Sequence, residues 1–94
     1  MRLKWTQWAK QDKEGIIDYI ARENSLAAIH QGDEIENQIE MLLQHPNLGR
    51  TGRVKGSREL VITDTPYIVA YRIKGEAVHI LRILHGAQNW PCKL

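Results

Sequence analysis

Arg58-Glu59-Leu60-Val61-Ile62, Tyr67-Ile68-Val69-Ala70-Tyr71-Arg72-Ile73 and Ala77-Val78-His79-Ile80-Leu81-Arg82-Ile83-Leu84-His85 are three runs rich in Val, Ile and Tyr. Thr63-Asp64-Thr65-Pro66 and Lys74-Gly75-Glu76 separate them. Short β-branched and aromatic runs divided by turn residues predict an antiparallel meander. Asp tolerates unusual backbone angles and Pro presets its own φ, which suits the first break to a turn. Lys74-Gly75 occupies the place where a tight hairpin needs a positive φ, and Gly adopts one without steric penalty. A two-residue loop there sets Tyr71 opposite Val78, Val69 opposite Ile80 and Tyr67 opposite Arg82. This register gathers Tyr67, Val69, Tyr71, Ile73, Val78 and Ile80 on one face, and Ile68, Ala70, Arg72, His79 and Leu81 on the other.

Working outward, Leu3 and Trp5 alternate with Arg2 and Lys4, as in a short N-terminal strand. Thr6 is a suitable N-cap for a helix from Gln7 to about Arg22, because its hydroxyl can accept from an orphan backbone N–H. Ala9, Ile16, Ile17, Tyr19 and Ile20 recur at near-helical spacing there, with Trp5 and Trp8 expected to anchor the helix to the sheet. Gly15 falls inside the pattern, where it weakens the helix and permits close packing. Asn24-Ser25 interrupts it and supplies a cap for a second helix. That helix carries Ala28, Gly32, Ile35, Ile39 and Leu42 in a single stripe, widened by Ile29 and Leu43. It is expected to end at His45-Pro46, since the residue before Pro disfavours the α region. The expected fold is α+β: a helical hairpin on one face of a small, about four-stranded antiparallel sheet, in one domain covering residues 1–94.

The chain has 94 residues, 43% of them hydrophobic and 26% charged, an ordinary globular composition. No apolar run approaches the roughly 20 residues of a membrane helix. The N-terminus has no signal-peptide core, which points to the cytoplasm. Cys92 is the only cysteine and His30 and His45 make no ligand spacing, so neither a disulfide nor a metal site is expected. The net charge of +2 divides unevenly, about −3 over residues 1–45 and +5 over residues 46–94. A basic half suits a nucleic acid, an acidic protein, or simple compensation of the acidic helices. The loop from Asn47 to Ser57 concentrates cations: Arg50, Arg53, Lys55 and then Arg58 lie within nine residues, with no acid among them. Without a Gly-Lys-Ser/Thr ending and a following helix it does not cradle a nucleotide, and no cofactor is expected.

In this order of elements, His45-Pro46-Asn47-Leu48-Gly49-Arg50, the loop into Arg58-Glu59-Leu60-Val61, Tyr67 to Ile73, and Val78 to Gly86 resemble the RelE/ParE superfamily of bacterial toxins. The resemblance covers nearly the whole chain, and it rests on order and spacing rather than on one diagnostic piece. It implies the toxic half of a type II toxin–antitoxin module, held inactive by an antitoxin whose C-terminal segment folds onto it. It also implies one of two targets. RelE-like members cut messenger RNA in the ribosome, whereas ParE-like members inhibit DNA gyrase.

Cleavage by a 2′-OH needs a proton acceptor, a donor to the leaving oxygen and cations on the phosphate. The nuclease branch often has Arg just after the position of Tyr67, where this chain has Ile68. Its lysine on the second strand has no counterpart in Glu59-Leu60-Val61-Ile62, and Gly86-Ala87-Gln88-Asn89 has no basic residue. What remains for a nuclease is His85 as acid or base, with Arg58 and Arg82 as cations. Arg50, Arg53, Lys55, Arg72 and Trp90 are candidates for binding target or antitoxin. Each has a structural alternative: His85 can cap the sheet, Arg82 can pair with Asp18 or Glu40, and Trp90 can fold back onto the sheet edge. The leading expectation is a ParE-like gyrase poison. The alternatives are a ribosome-dependent mRNA endonuclease and a domain that has lost activity and only binds its antitoxin.

Overall fold

The structure, a computed structural model, describes residues 1–94. The chain runs β1 (Arg2–Trp5), α1 (Gln7–Ala21), α2 (Ser25–Glu40), a 3-10 turn (Met41–Leu43), β2 (Arg50–Thr51), β3 (Arg58–Val61), β4 (Tyr67–Lys74) and β5 (Ala77–His85). The sheet has five strands in the order β1-β5-β4-β3-β2. All neighbours are antiparallel except β1, which adds to β5 in parallel. The fifth strand is the short β2, formed inside the stretch read as a loop. Two residues carry too little alternation to be seen in sequence, and they become a strand only because Arg50 and Thr51 pair with Glu59 and Arg58.

The two helix starts follow from side-chain caps. The Thr6 hydroxyl accepts from Ala9 N at 3.1 Å, and Asn24 Oδ1 accepts from Ala27 N at 3.0 Å. The α2 stripe is buried at Ala28, Gly32, Ile35 and Ile39, with Leu42 continuing it in the 3-10 turn. Together with Ala9, Leu60, Ile62, Val69, Tyr71, Val78, Ile80 and Ile83, the last three of these form the core. The helices pack tightly at Gly32, where an added Cβ would lie 3.1 Å from Ile17 Cδ1. Gly15, expected to permit that approach, faces open space. Trp8, Tyr19 and Ile29 also depart from expectation, being exposed. They lie beside the apolar stripes in sequence, but the helices present only a narrow arc to the sheet. Trp5 alone of the first two tryptophans packs against the core.

The hairpin loop is Gly75-Glu76 rather than Lys74-Gly75, with Gly75 at φ 61° in the first loop position. Tyr71 therefore pairs with Ile80, not Val78. The displacement is two residues, so side-chain parity is unchanged and the expected core face, with Val69, Tyr71, Val78 and Ile80, is the observed one. Between the pairs Tyr71–Ile80 and Ala70–Arg82 the register shifts, leaving Leu81 as the extra residue of a bulge. The bulge resets the alternation of β5, brings Ile83 into the core, and sets Tyr67 opposite His85 instead of Arg82. The turn before β4 is as expected, with Asp64 at φ 66°.

Candidate functional site

Glu59, the residue that the charge reading of the loop passed over, organises the loop cations. It pairs with Ala70, whereas Leu60 and Val69 pair within the core, so its side chain stands on the outer face of the sheet, away from the helices. Although only 2% exposed, it is fully paired. Its Oε1 accepts from Arg50 Nη2 at 3.1 Å, and its Oε2 accepts from Arg53 N at 2.7 Å and Arg53 Nε at 3.1 Å. Burial alone would raise the carboxyl's pKa. The backbone and guanidinium donors of Arg53, with those of Arg50, outweigh it and hold Glu59 below the usual glutamate value. The Arg53 guanidinium in turn lies 3.8 Å from the centre of the Trp90 ring, and Trp90 Nε1 donates to His85 O at 3.4 Å. Loop, sheet and tail thus meet on one carboxylate. The indole folds back, and the loop is held by an acid that follows it in sequence.

Arg72, Arg58 and Arg82 are each held by contacts within the fold. Arg72 donates to the carbonyls of Gly56 and Lys55. Arg58 stands beside Tyr71 on the helix side, and its Nη2 donates to Asn47 O at 3.0 Å and Gly49 O at 2.6 Å. The Tyr71 hydroxyl secures the same segment, accepting from Gly49 N and donating to Pro46 O. Arg82 forms a two-point pair with Asp12 of α1, at 2.7 and 3.0 Å, rather than with Asp18 or Glu40. Asp12 lies six residues, nearly two turns, nearer the start of α1 than Asp18, on the helix that packs against β5 just beyond the end of β1. There the edge of β5 loses its strand partner, and Asp12 Oδ2 accepts from Ile83 N at 3.0 Å while the Thr6 hydroxyl donates to Leu81 O at 2.8 Å. The hydrogen bonds that Arg82 donates to Asp12 raise its pKa above the ordinary value.

His85 ends β5, exposed, with Nδ1 accepting from Ala87 N at 3.0 Å and its ring set edge-on to Tyr67, centroids 5.8 Å apart. The Tyr67–His85 and Tyr71–Arg58 pairs are four residues apart along β4, about 14 Å at strand rise. Arg58 is therefore remote from His85, whereas His85 and Arg82 both line a shallow pocket of about 320 Å³ with Tyr19 and Tyr67. In it His85 caps the tail and Arg82 closes a sheet edge, while Arg58 braces the loop. Lys55 is exposed. No three His, Cys, Asp or Glu side chains come together to hold a metal, and no helix is long and apolar enough to cross a membrane.

A different feature emerges on the far edge of the sheet. β2 covers only Arg58 and Glu59, so Leu60 and Val61 have no strand partner on that side. A groove of about 580 Å³ runs between this edge and the end of α2, lined in part by Met41, Leu48, Leu60 and Val61. Met41, Leu48 and Val61 are each about half exposed.

Residues 3–90 match the profile of the ParE toxin of type II toxin–antitoxin systems, parDE. The chain belongs to this family. ParE-family membership makes it the toxin of a ParDE-type pair, with a cognate antitoxin as partner. The family fold is equally clear. A chain from the chromosomal ParDE system of P. aeruginosa superposes with a TM-score of 0.81 at 35% identity, covering 88% of this chain and 92% of that one. Among curated relatives, the putative toxin Y4kP of Sinorhizobium fredii is 39% identical over 96% of this chain and 93% of its own length. Toxin RelE2 of Caulobacter vibrioides is 34% identical over 89% of this chain and 93% of its own.

Proposed function

We propose that this ParE-family toxin arrests growth by contact with DNA gyrase, without cleaving RNA. The observation that carries this reading is that, of the two candidate cations, Arg58 stands about 14 Å from His85 along β4, and Arg82, which shares a pocket with His85, is already paired with Asp12. A 2′-OH attack needs its acid–base group and its phosphate cations around one reacting phosphate. Here each of the three is committed to a different structural contact. The gyrase target itself comes from the resemblance to ParE-like toxins. The competing reading, a ribosome-dependent endonuclease, draws on the same three residues.

The groove beside β3 fits the antitoxin. An open strand edge offers backbone hydrogen bonds, and the exposed Met41, Leu48 and Val61 offer apolar anchors, the combination by which an extended segment adds to a sheet. Val61→Glu places a charge on this surface and is expected to weaken antitoxin binding by more than about tenfold while leaving the melting temperature of the free toxin unchanged.

The target is decided by adding the full-length toxin in parallel to a gyrase supercoiling assay and to programmed ribosomes carrying end-labelled message. Blocked supercoiling with intact message is the expected result. Discrete breaks in the message, abolished by His85→Ala, would overturn it.

A further inference from the structure

The outer face of the sheet carries a second set of cations, at the end opposite His85. The register of β1 on β5 aligns Lys4 with His79, and the hairpin aligns His79 with Arg72. One row nearer the turn, Arg2 lies beside Ala77 and Ala77 beside Lys74. Within each strand these residues are two apart, so both rows point to the same side. That side is the outer one, because the alternate residues Val78 and Ile80 are in the core. Strands about 4.8 Å apart, with a two-residue repeat of about 6.8 Å, put Arg2, Lys4, Arg72 and Lys74 at the corners of a rectangle of about 10 by 7 Å. His79 lies midway along one side.

These cations are not neutralised within the fold. The four ion pairs of the chain involve other residues. Arg72 rests on carbonyls, which satisfy its N–H groups without cancelling its charge. An open depression of about 620 Å³ lies over Arg2, Lys4, Lys74 and His79, with Arg72 beyond its lining, and Glu76 is the only carboxylate that lines it. Arg2, Lys4 and Lys74 are exposed.

Two kinds of acidic partner meet such a surface. A bound peptide draws its affinity from buried apolar or aromatic anchors, and this depression offers only Met1 and Ala77 among its seven lining residues. A phosphate backbone needs cations alone. We propose that this face binds the phosphate backbone of duplex DNA, so that the toxin touches the DNA on which gyrase works. The choice of DNA over RNA rests on the gyrase reading. The patch and its charge do not.

The test is fluorescence anisotropy of a short labelled duplex titrated with the full chain at several salt concentrations. Four phosphate contacts predict a slope of log K on log salt near −3.6, about a hundredfold loss of affinity between about 50 and 200 mM salt. Lys4→Glu with Lys74→Glu should weaken binding at low salt at least tenfold and make the slope shallower by about 2. Lys10→Glu with Lys93→Glu makes the same change in net charge at exposed positions elsewhere and should leave most of the affinity and the slope intact. No binding at low salt, an equal loss in both double variants, or tighter binding to poly-glutamate or to RNA of the same length would each overturn the proposal. Blocked supercoiling by a toxin that does not bind DNA would remove the patch and keep the gyrase reading. DNA binding with normal supercoiling would do the reverse.

Discussion

At the scale of single residues, Asp12 does the work of two groups. Its carboxylate neutralises Arg82 and also accepts from Ile83 N, a backbone donor left without a strand partner where β1 ends. The two partners should consequently behave unequally on truncation. Arg82→Ala removes a two-point ion pair but leaves Asp12 able to accept from Ile83, for a cost of about 1–3 kcal/mol. Asp12→Ala leaves both the guanidinium and the backbone N–H unpaired, for about 2–4 kcal/mol. Urea unfolding of the two variants checks the order, and a larger loss in Arg82→Ala would contradict it. Arg82 shows how far sequence reasoning reaches at this scale. That an arginine in an apolar strand needs a carboxylate follows from desolvation alone. Which carboxylate it finds depends on where α1 crosses the sheet, and Asp12, Asp18 and Glu40 cannot be ranked without that crossing.

At the scale of elements, the β4–β5 hairpin combines a turn dictated by its residues with a register that its residues do not settle. Gly75 holds φ 61°, a region in which an L side chain costs about 1–2 kcal/mol. Gly75→Val should lower stability by about that amount or slightly more, and Gly75→Asn by less, since Asn tolerates this conformation. Thermal unfolding of the pair distinguishes backbone strain from lost packing, because an added Cβ at Gly75 meets no atom within 4 Å. The core face of the hairpin was legible because alternation has a period of two, and the two-residue displacement of the loop preserves it. The bulge at Leu81 was not legible. Nothing in Ile80-Leu81-Arg82-Ile83 marks an extra residue, which is set by the simultaneous demands of Ile80 and Ile83 for the core and Arg82 for Asp12.

At the scale of the whole molecule, Glu59 joins segments distant in sequence: the basic loop through Arg50 and Arg53, and the C-terminal tail through Arg53 and Trp90. Its pKa is depressed in the folded chain. The stability it contributes is therefore fully present above the unfolded glutamate value, about 4.3, and is lost as the pH falls through the lower folded value. Glu59→Gln should reduce stability at neutral pH by about 1–3 kcal/mol and flatten the decline below about pH 4. Urea midpoints at neutral and acid pH, with Trp fluorescence reporting release of the tail, measure both effects. An acid limb as steep as that of the parent would show that other carboxylates control it.

Legible from the chain alone were the helix cap at Thr6, a second cap at Asn24 or Ser25, the buried stripe of α2, the core face of the hairpin and the family resemblance. These depend on residue type and short periodic spacing, both of which are local. It took the packing of distant segments to bring Arg50 and Arg53 onto Glu59, to set Arg58 apart from His85 while Arg82 pairs with Asp12 beside it, and to put Arg2, Lys4, Arg72 and Lys74 on one face. Charge partners are set by which strands become neighbours, and in this sheet β1 lies beside β5 although about seventy residues separate them in the chain.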